Sequence, residues 1–531
     1  MLRAGIIIVV LFSLLGCGSP KSHERIEKSQ TIRLNISDDP QSLDPRTARD
    51  LSSFTVARML FEGLTRISKE EKAELALAES VAISSDQKTY TFYLKESRWT
   101  NGDVLKASDF AYAWKKVLSP EFLSDAAFQL YVIKNAKSVK EGTVSLDRVG
   151  IEVIDDRTLR VNLEHPIPYF MELIAMPIFF PVNQSVDELN PQWAEKVESY
   201  VGNGPFKLAE WRHRDHLVVT KNGLYWDVSQ VELEKIELLM IKEETAYKMF
   251  EKGELDWIGS PLGILPLDTL QELRQEKRLQ TKEMLGTCFL RSNVEKPPFN
   301  NTKMRRAFAL AINRQEIVDH VTQGNQLPAM GLVPACLKED LSAYFKDGDV
   351  EGARALFKEA LSDLGMTEGT LPKISLLYLA GERNHLLMQV LQQQWFEAFG
   401  VWVELNGIEG KVYYDKVSKR DYQLASGSWI ADFNDPINFL EVFKYKNGGS
   451  NNTLWENLEY TRLLNESSGV THTEKRLALL ERSERILMEE MPIIPIFYYT
   501  MLYVNQSDVK DVVLSSLGSI DFKWAYIGEK Q

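Results

Sequence analysis

The chain has 531 residues, 44% of them hydrophobic and 26% charged, which are the proportions of a soluble globular protein with room for several domain-sized units. Its formal charge of −13 argues against nucleic acid or an anionic lipid surface as a partner. Beyond the first residues no apolar stretch approaches the roughly 20 residues that span a bilayer, which excludes an integral permease.

The first feature in chain order is a leader. Arg3 precedes a short apolar run from Ile6 to Leu15, and the run ends in Leu14-Leu15-Gly16-Cys17. A basic start, a short apolar core and a small residue before a cut are the parts of a secretory signal. Cysteine directly after Leu-Leu-Gly resembles a bacterial lipobox. That resemblance implies a lipoprotein signal peptide over 1–16, with Cys17 lipidated as the mature N-terminus. The alternative is an ordinary signal peptide with an incidental cysteine. Residues 17–30 are polar and open with Gly18, Ser19, Pro20 and Lys21, so they read as a tether. The expected location is the cell envelope, on the extracytoplasmic face of the cytoplasmic membrane, held there by lipid alone.

The body alternates strands with amphipathic helices. Tyr90, Phe92 and Leu94 alternate with polar neighbours, as a half-buried strand does. Phe110, Ala113, Trp114 and Val117 recur at helical spacing, and Ser119-Pro120 stops that run. Leu159, Val161 and Leu163 predict another strand, and Ile236, Leu238 and Met240 a third. Thr287-Cys288-Phe289-Leu290 reads as a core strand. Asp349 can cap a helix with an apolar stripe of Val350, Ala353, Phe357, Ala360, Leu361 and Leu364, ended by Gly365. Leu387, Leu391 and Trp395 mark the next helix, closed by Gly400. Gly448-Gly449-Ser450-Asn451-Asn452 reads as a loop. Thr471 and Glu474 have capping-box spacing ahead of a long helix over 474–491, which Pro492 ends. This mixture predicts α/β architecture with more than one sheet. Besides Cys17 only Cys288 and Cys336 are present; an exported pair can form a disulfide, and two separate buried thiols is the other reading.

A series of blocks carries a second resemblance. Pro40-Gln41-Ser42-Leu43-Asp44-Pro45 is followed by Leu60-Phe61-Glu62-Gly63-Leu64-Thr65. Trp99-Thr100-Asn101-Gly102-Asp103 leads to Ser108-Asp109-Phe110, and Gly202-Asn203-Gly204-Pro205-Phe206-Lys207 comes later. Gly253-Glu254-Leu255-Asp256, the Arg305–Arg314 stretch, Trp429-Ile430-Ala431-Asp432-Phe433-Asn434-Asp435-Pro436 and the run from Pro492 to Tyr498 complete the series. In this order the blocks resemble the oligopeptide/dipeptide/nickel solute-binding family of ABC importers. The resemblance implies a bilobed periplasmic-binding-protein-like fold with a two-strand hinge and an additional small domain. Lobe I would comprise 31–58, 172–285 and 493–531, lobe II 286–492, and 59–171 a small domain packed on lobe I. It also implies a monomeric receptor without a cofactor that traps short peptides between its lobes and hands them to a permease and ATPase.

The same resemblance implies site residues. Asp432 would pair with the α-amino group of a bound peptide, since an enclosed ammonium is costly unless a carboxylate meets it. The other reading of Asp432 is a cap on the turn Asn434-Asp435-Pro436. The strand holding Ser426, Ser428, Trp429 and Ile430 would pair with the peptide backbone, which explains tolerance of many sequences. Trp429 reads equally well as plain core. Relatives place a basic residue on this strand where Ser426 stands here, so the chain departs from them. Arg383 and His385 are then candidates for the ligand's carboxylate end, with a solvated helix start as the other reading.

Enzyme signals are missing from the sequence: it has no Gly-x-Ser-x-Gly elbow, no phosphate-binding glycine loop and no His-Glu-x-x-His pair. No catalytic residue is therefore expected. His213 and His216 flank a charged turn and do not make a metal site by themselves. The alternatives are a same-fold carrier of a murein peptide, nickel chelate or haem, and, from other classes, an envelope hydrolase or a peptide sensor.

Overall fold

The computed structural model describes residues 29–48, 50–124, 126–338, 342–447, 450–470 and 472–528. The leader, Cys17, the tether up to residue 28, Gly448-Gly449 and Thr471, the expected helix cap, lie outside the described residues; the helix that follows starts after His472, whose side chain makes no cap bond. Among the described residues no helix is long and apolar enough to cross a membrane.

Strand β1 (Thr31–Ile36) opens the body. Next, β2 (Ala78–Ile83), β3 (Thr89–Leu94), α1 (Ala107–Leu118), β4 (Ile151–Asp155) and β5 (Thr158–Asn162) form a small unit. Its sheet is antiparallel in the order β2-β3-β5-β4. Tyr90 faces Val161 and Phe92 faces Leu159, so the alternation read from the sequence becomes one buried face. Helix α1 buries Phe110, Ala113, Trp114 and Val117, as their spacing predicts. The Trp114 indole donates to the Phe179 carbonyl at 2.8 Å and fastens the unit to the chain that follows. Between them lies the single turn α2 (Phe170–Leu173).

The rest of the chain builds one large sheet. Its strands are β6 (Phe206–Arg212), β7 (His216–Lys221), β8 (Lys235–Met240), β9 (Trp257–Gly259) and the long β10 (Gln280–Ser292). Helix α3 (Val350–Asp363) follows, its N-terminus capped by the Asp349 carboxylate accepting from the Gly352 amide. Then come β11 (Ile374–Leu379), α4 (Glu382–Phe399), β12 (Val403–Ile408), α5 (Gly410–Ser418), β13 (Leu424–Ile430), α6 (Thr473–Glu490) and β14 (Ile493–Asn505). Gly400 ends α4 at a φ of 70°, a conformation a side chain disfavours. The sheet runs β12-β11-β13-β10-β14-β9-β1-β8-β7-β6, with Leu327–Pro328 also on β14.

Two strands carry this sheet through the middle of the molecule. Gln280–Glu283 of β10 pair with Thr500–Tyr503 of β14; the register then slips, and Thr287–Arg291 pair with 493–498. The later half of β10 also pairs with β13, whereas the last residues of β14 pair with β9. Each strand thus enters one lobe by its first half and the other by its second. The cores divide in the same way. Ile494, Ile496 and Phe497 belong to the core that holds Trp395 and Phe308, while Met501 belongs to the core that holds Ile32, Ile236 and the small unit's Trp114.

Cys288 and Cys336 are both free, so they form no disulfide with each other. Cys288 is buried on β10, where burial pushes its thiol up to about 12. Cys336 is exposed, which corrects the reading of two buried thiols: it sits in the one-turn surface helix Ala335–Leu337 rather than in a strand.

Candidate functional site

The candidate site is centred on the end of β13. On one side β13 pairs with β10 along its whole length, from Leu424 opposite Ser292 to Ile430 opposite Gly286. On the other side β11 reaches only Leu424 and Ala425. From Ser426 onward that edge of β13 has no strand beside it among the described residues. Such an edge offers amide and carbonyl groups to an added extended chain.

Side chains alternate along this edge, as in any strand. Ser428 and Ile430 are exposed, and Ser426 and Trp429 are partly buried. The Trp429 indole donates to Asn438 Oδ1 at 2.8 Å and packs with Phe289 and Ala431. Trp429 therefore serves the lobe's interior, and it helps to hold the turn that follows. Asn438 Oδ1 also accepts from the Asp432 amide at 3.3 Å.

Asp432 stands just past the strand. Burial pushes its carboxyl above the usual range, and the Asn438 hydrogen bond offsets only part of this. Among the described residues no Lys, Arg or His forms an ion pair with it. The turn-capping role belongs instead to Asp435, whose carboxylate accepts from the Ile437 amide at 2.9 Å. Asp435 is in turn held by both terminal nitrogens of Arg476, at 2.7 and 2.9 Å. Asp432 is thus left as a partly buried carboxylate without a counter-ion, at the head of an open strand edge. That arrangement can take a cation joined to an extended backbone.

The turn after Asp432 is met by residues at the start of α2. Tyr169 stacks on Phe433 with ring centroids 3.9 Å apart. On the next turn Glu172 has its carboxyl pushed up to about 7, by burial first and then by the charge of Asp435. Elsewhere Arg383 Nη2 donates to the Leu265 carbonyl at 2.7 Å, joining the start of α4 to the segment that follows β9. His385 Nδ1 lies in hydrogen-bond contact with the Tyr378 hydroxyl. Arg383 and His385 both lie at the start of α4 and apart from Asp432 in the chain, and each already has a protein partner. His213 and His216 lie on the β6–β7 hairpin, bonded to Asp39 and to Asp215 and Glu210. No group of three or more His, Cys, Asp or Glu that could hold a metal occurs among the described residues.

Sequence reasoning passed over several residues that shape this site: Tyr169, Glu172, Phe433, Asn438, Tyr413 and Arg291. A weak signal existed for the last of these, since Arg291 directly follows the apolar run Cys288-Phe289-Leu290 near the end of β10.

Comparison with known proteins decides the family. The family model for bacterial extracellular solute-binding proteins, family 5 (middle region), matches residues 72–451. The chain belongs to this family. The oligopeptide-binding protein OppA of Bacillus subtilis is 40% identical over 532 residues, 98% of each chain. Among solved structures, the Escherichia coli murein tripeptide binding protein MppA superposes with a TM-score of 0.79 at 29% identity, over 95% of this chain and 99% of that one. Haemophilus influenzae OppA, solved in complex with RPPGFSPFR, gives a TM-score of 0.79 at 28% identity, over 95% and 100%. The bilobed α/β architecture of this solute-binding family is therefore the fold of this chain.

Proposed function

We propose that this family 5 protein is a lipid-anchored receptor that captures short peptides between its lobes and delivers them to an ABC permease and ATPase, without catalysis. The observation that carries this reading is Asp432: a partly buried carboxylate that, among the described residues, has no counter-ion and lies directly beyond a strand edge without a partner. A peptide supplies both missing groups, an ammonium for Asp432 and a backbone for the edge. The guest would lie along Ser426, Ser428, Trp429 and Ile430 and run antiparallel to β13, its amino end at Asp432. Backbone pairing leaves side-chain identity open, as a nutrient receptor requires. The peptide-binding names of the relatives agree with this.

The proposed division assigns 31–58, 172–285 and 493–531 to lobe I, 59–171 to the small domain and 286–492 to lobe II, with β10 and β14 shared as the hinge. Arg383 and His385 are proposed to meet the carboxylate end of longer guests, near the Leu265 contact. Cys17 is the proposed lipid attachment, and the receptor acts as a monomer on the extracytoplasmic face of the membrane. The test is mass spectrometry of the ligand that co-purifies, followed by calorimetry with peptides of two to six residues. Recovery of intact peptides that rebind supports a receptor. A folded protein that binds none of them, or that cleaves them, contradicts it.

A further inference from the structure

Ser426 on β13 carries no charge of its own, and the structure brings a cation to it from the neighbouring strand. Arg291 lies on β10 opposite Ala425, one residue from the pair Leu290–Ser426. Its side chain crosses over Gly427, where an added Cβ would lie 2.1 Å from Arg291 Nη1. Nη1 then donates to the Ser426 carbonyl at 3.0 Å. The same carbonyl accepts from the Tyr413 hydroxyl at 2.6 Å, so it sits at a polar junction beside α5. The charge is thus carried from β10 across β13 toward the open edge.

This guanidinium is poorly satisfied. Its Nε is buried without a hydrogen-bond partner, and among the described residues no carboxylate lies within ion-pair distance of it. It also lies over the Phe289 ring, 5.0 Å away, which supports a cation without neutralising it. A planar guanidinium in this state is suited to a carboxylate, which it can meet with two parallel hydrogen bonds.

We propose that Arg291 is the residue that receives the carboxylate end of a bound peptide; this rests on the peptide-receptor reading above. Asp432 and the Ser426 carbonyl are separated by six residue steps, at most about 20 Å at roughly 3.3 Å per step. A guest clamped between the two charges therefore has at most about six residues. Gly427 is part of the device, because any side chain there would block the path of Arg291. The two ends of the guest are then read by separate groups: Asp432 for the ammonium and Arg291 for the carboxylate.

The test is calorimetry with alanine peptides of three to six residues, each as the free acid, the C-terminal amide and the N-acetyl form. At the length that binds best, the parent protein should favour the free acid over the amide by about tenfold or more. Arg291→Gln should reduce that ratio to near one while N-acetylation still abolishes binding, which shows the amino-end site intact. Adding Ser426→Arg to Arg291→Gln should restore the preference. A parent protein that binds acid and amide equally overturns the proposal, whatever the folding of the variants. So does an Arg291→Gln variant that keeps the parent's ratio. If the parent binds no form at any length, the peptide-receptor reading itself has failed, and this assignment with it; binding with the wrong end preference sinks the assignment alone.

Discussion

Tyr169 and Phe433 lie ring on ring, with centroids 3.9 Å apart and planes 6° from parallel, although 264 positions of chain separate the start of α2 from the turn after Asp432. On the proposed reading the contact lies beside the peptide's amino end and forms only when the lobes are together. Stacked aromatic pairs contribute about 0.5–1.5 kcal/mol beyond their buried area.

The pair should therefore couple to closure. Tyr169→Ala and Phe433→Ala should each weaken peptide binding, and a double-mutant cycle on the affinities should give about 0.5–1.5 kcal/mol of coupling. Small-angle scattering of either variant with peptide should report a larger radius than the parent. Fully additive effects would mean that the rings do not meet in the bound state.

Glu172 makes stability depend on pH in a defined direction. Its carboxyl is raised from the usual 4.5 to about 7, so the folded protein keeps a proton that the unfolded chain has lost. Stability falls as pH rises through that window, and the full cost is present above about 7. Glu172→Gln imitates the protonated form. Its melting temperature should exceed the parent's at about pH 8, with the gap closing as pH falls toward about 4.5. A gap that stays constant across this range would mean that Glu172 titrates normally.

Gly427→Ala puts a methyl group 2.1 Å from Arg291 Nη1 and 2.9 Å from the Phe289 ring. The expected cost is about 1–3 kcal/mol of stability by denaturant unfolding. The guanidinium should be displaced, so preference for a free peptide carboxylate should fall while rejection of N-acetylated peptides persists. An unchanged carboxylate preference would show that the arginine does not need this passage.

Much of the fold was legible because its signals are local. The alternation of Tyr90, Phe92 and Leu94, the stripe through Phe110 and Trp114, and Asp349 ahead of its helix each fix an element by neighbours in the chain. The family blocks were legible as a set, but most of them serve structure. Asp109 accepts from the Trp99 indole and the Lys106 amide, so that block ties a loop to α1. Asn203 exchanges hydrogen bonds with the backbone of Glu62, and Gly204 packs so closely on Leu60 that a Cβ would lie 2.5 Å from its carbonyl carbon. Arg314, fully buried, donates to the Pro495 carbonyl and to Asp347.

What stayed hidden depends on register between strands far apart in sequence. No local pattern places Arg291 over Gly427, Tyr169 against Phe433 or Glu172 near Asp435; each pairing exists only once β10, β13 and the two lobes are assembled. The same holds for β14, whose apolar run gives no sign that its first half joins one core and its second half the other.

The central claim is that Asp432 waits for a peptide ammonium. The most direct measurement is calorimetry of one short peptide, free and N-acetylated, with the parent protein and with Asp432→Asn, across pH. For the parent, binding should weaken as pH falls through the raised pKa of Asp432, because the neutral acid cannot meet a cation. Acetylation and Asp432→Asn should each cost about 2–5 kcal/mol, with little further loss when combined. Equal affinity for free and acetylated peptide in the parent would contradict the account.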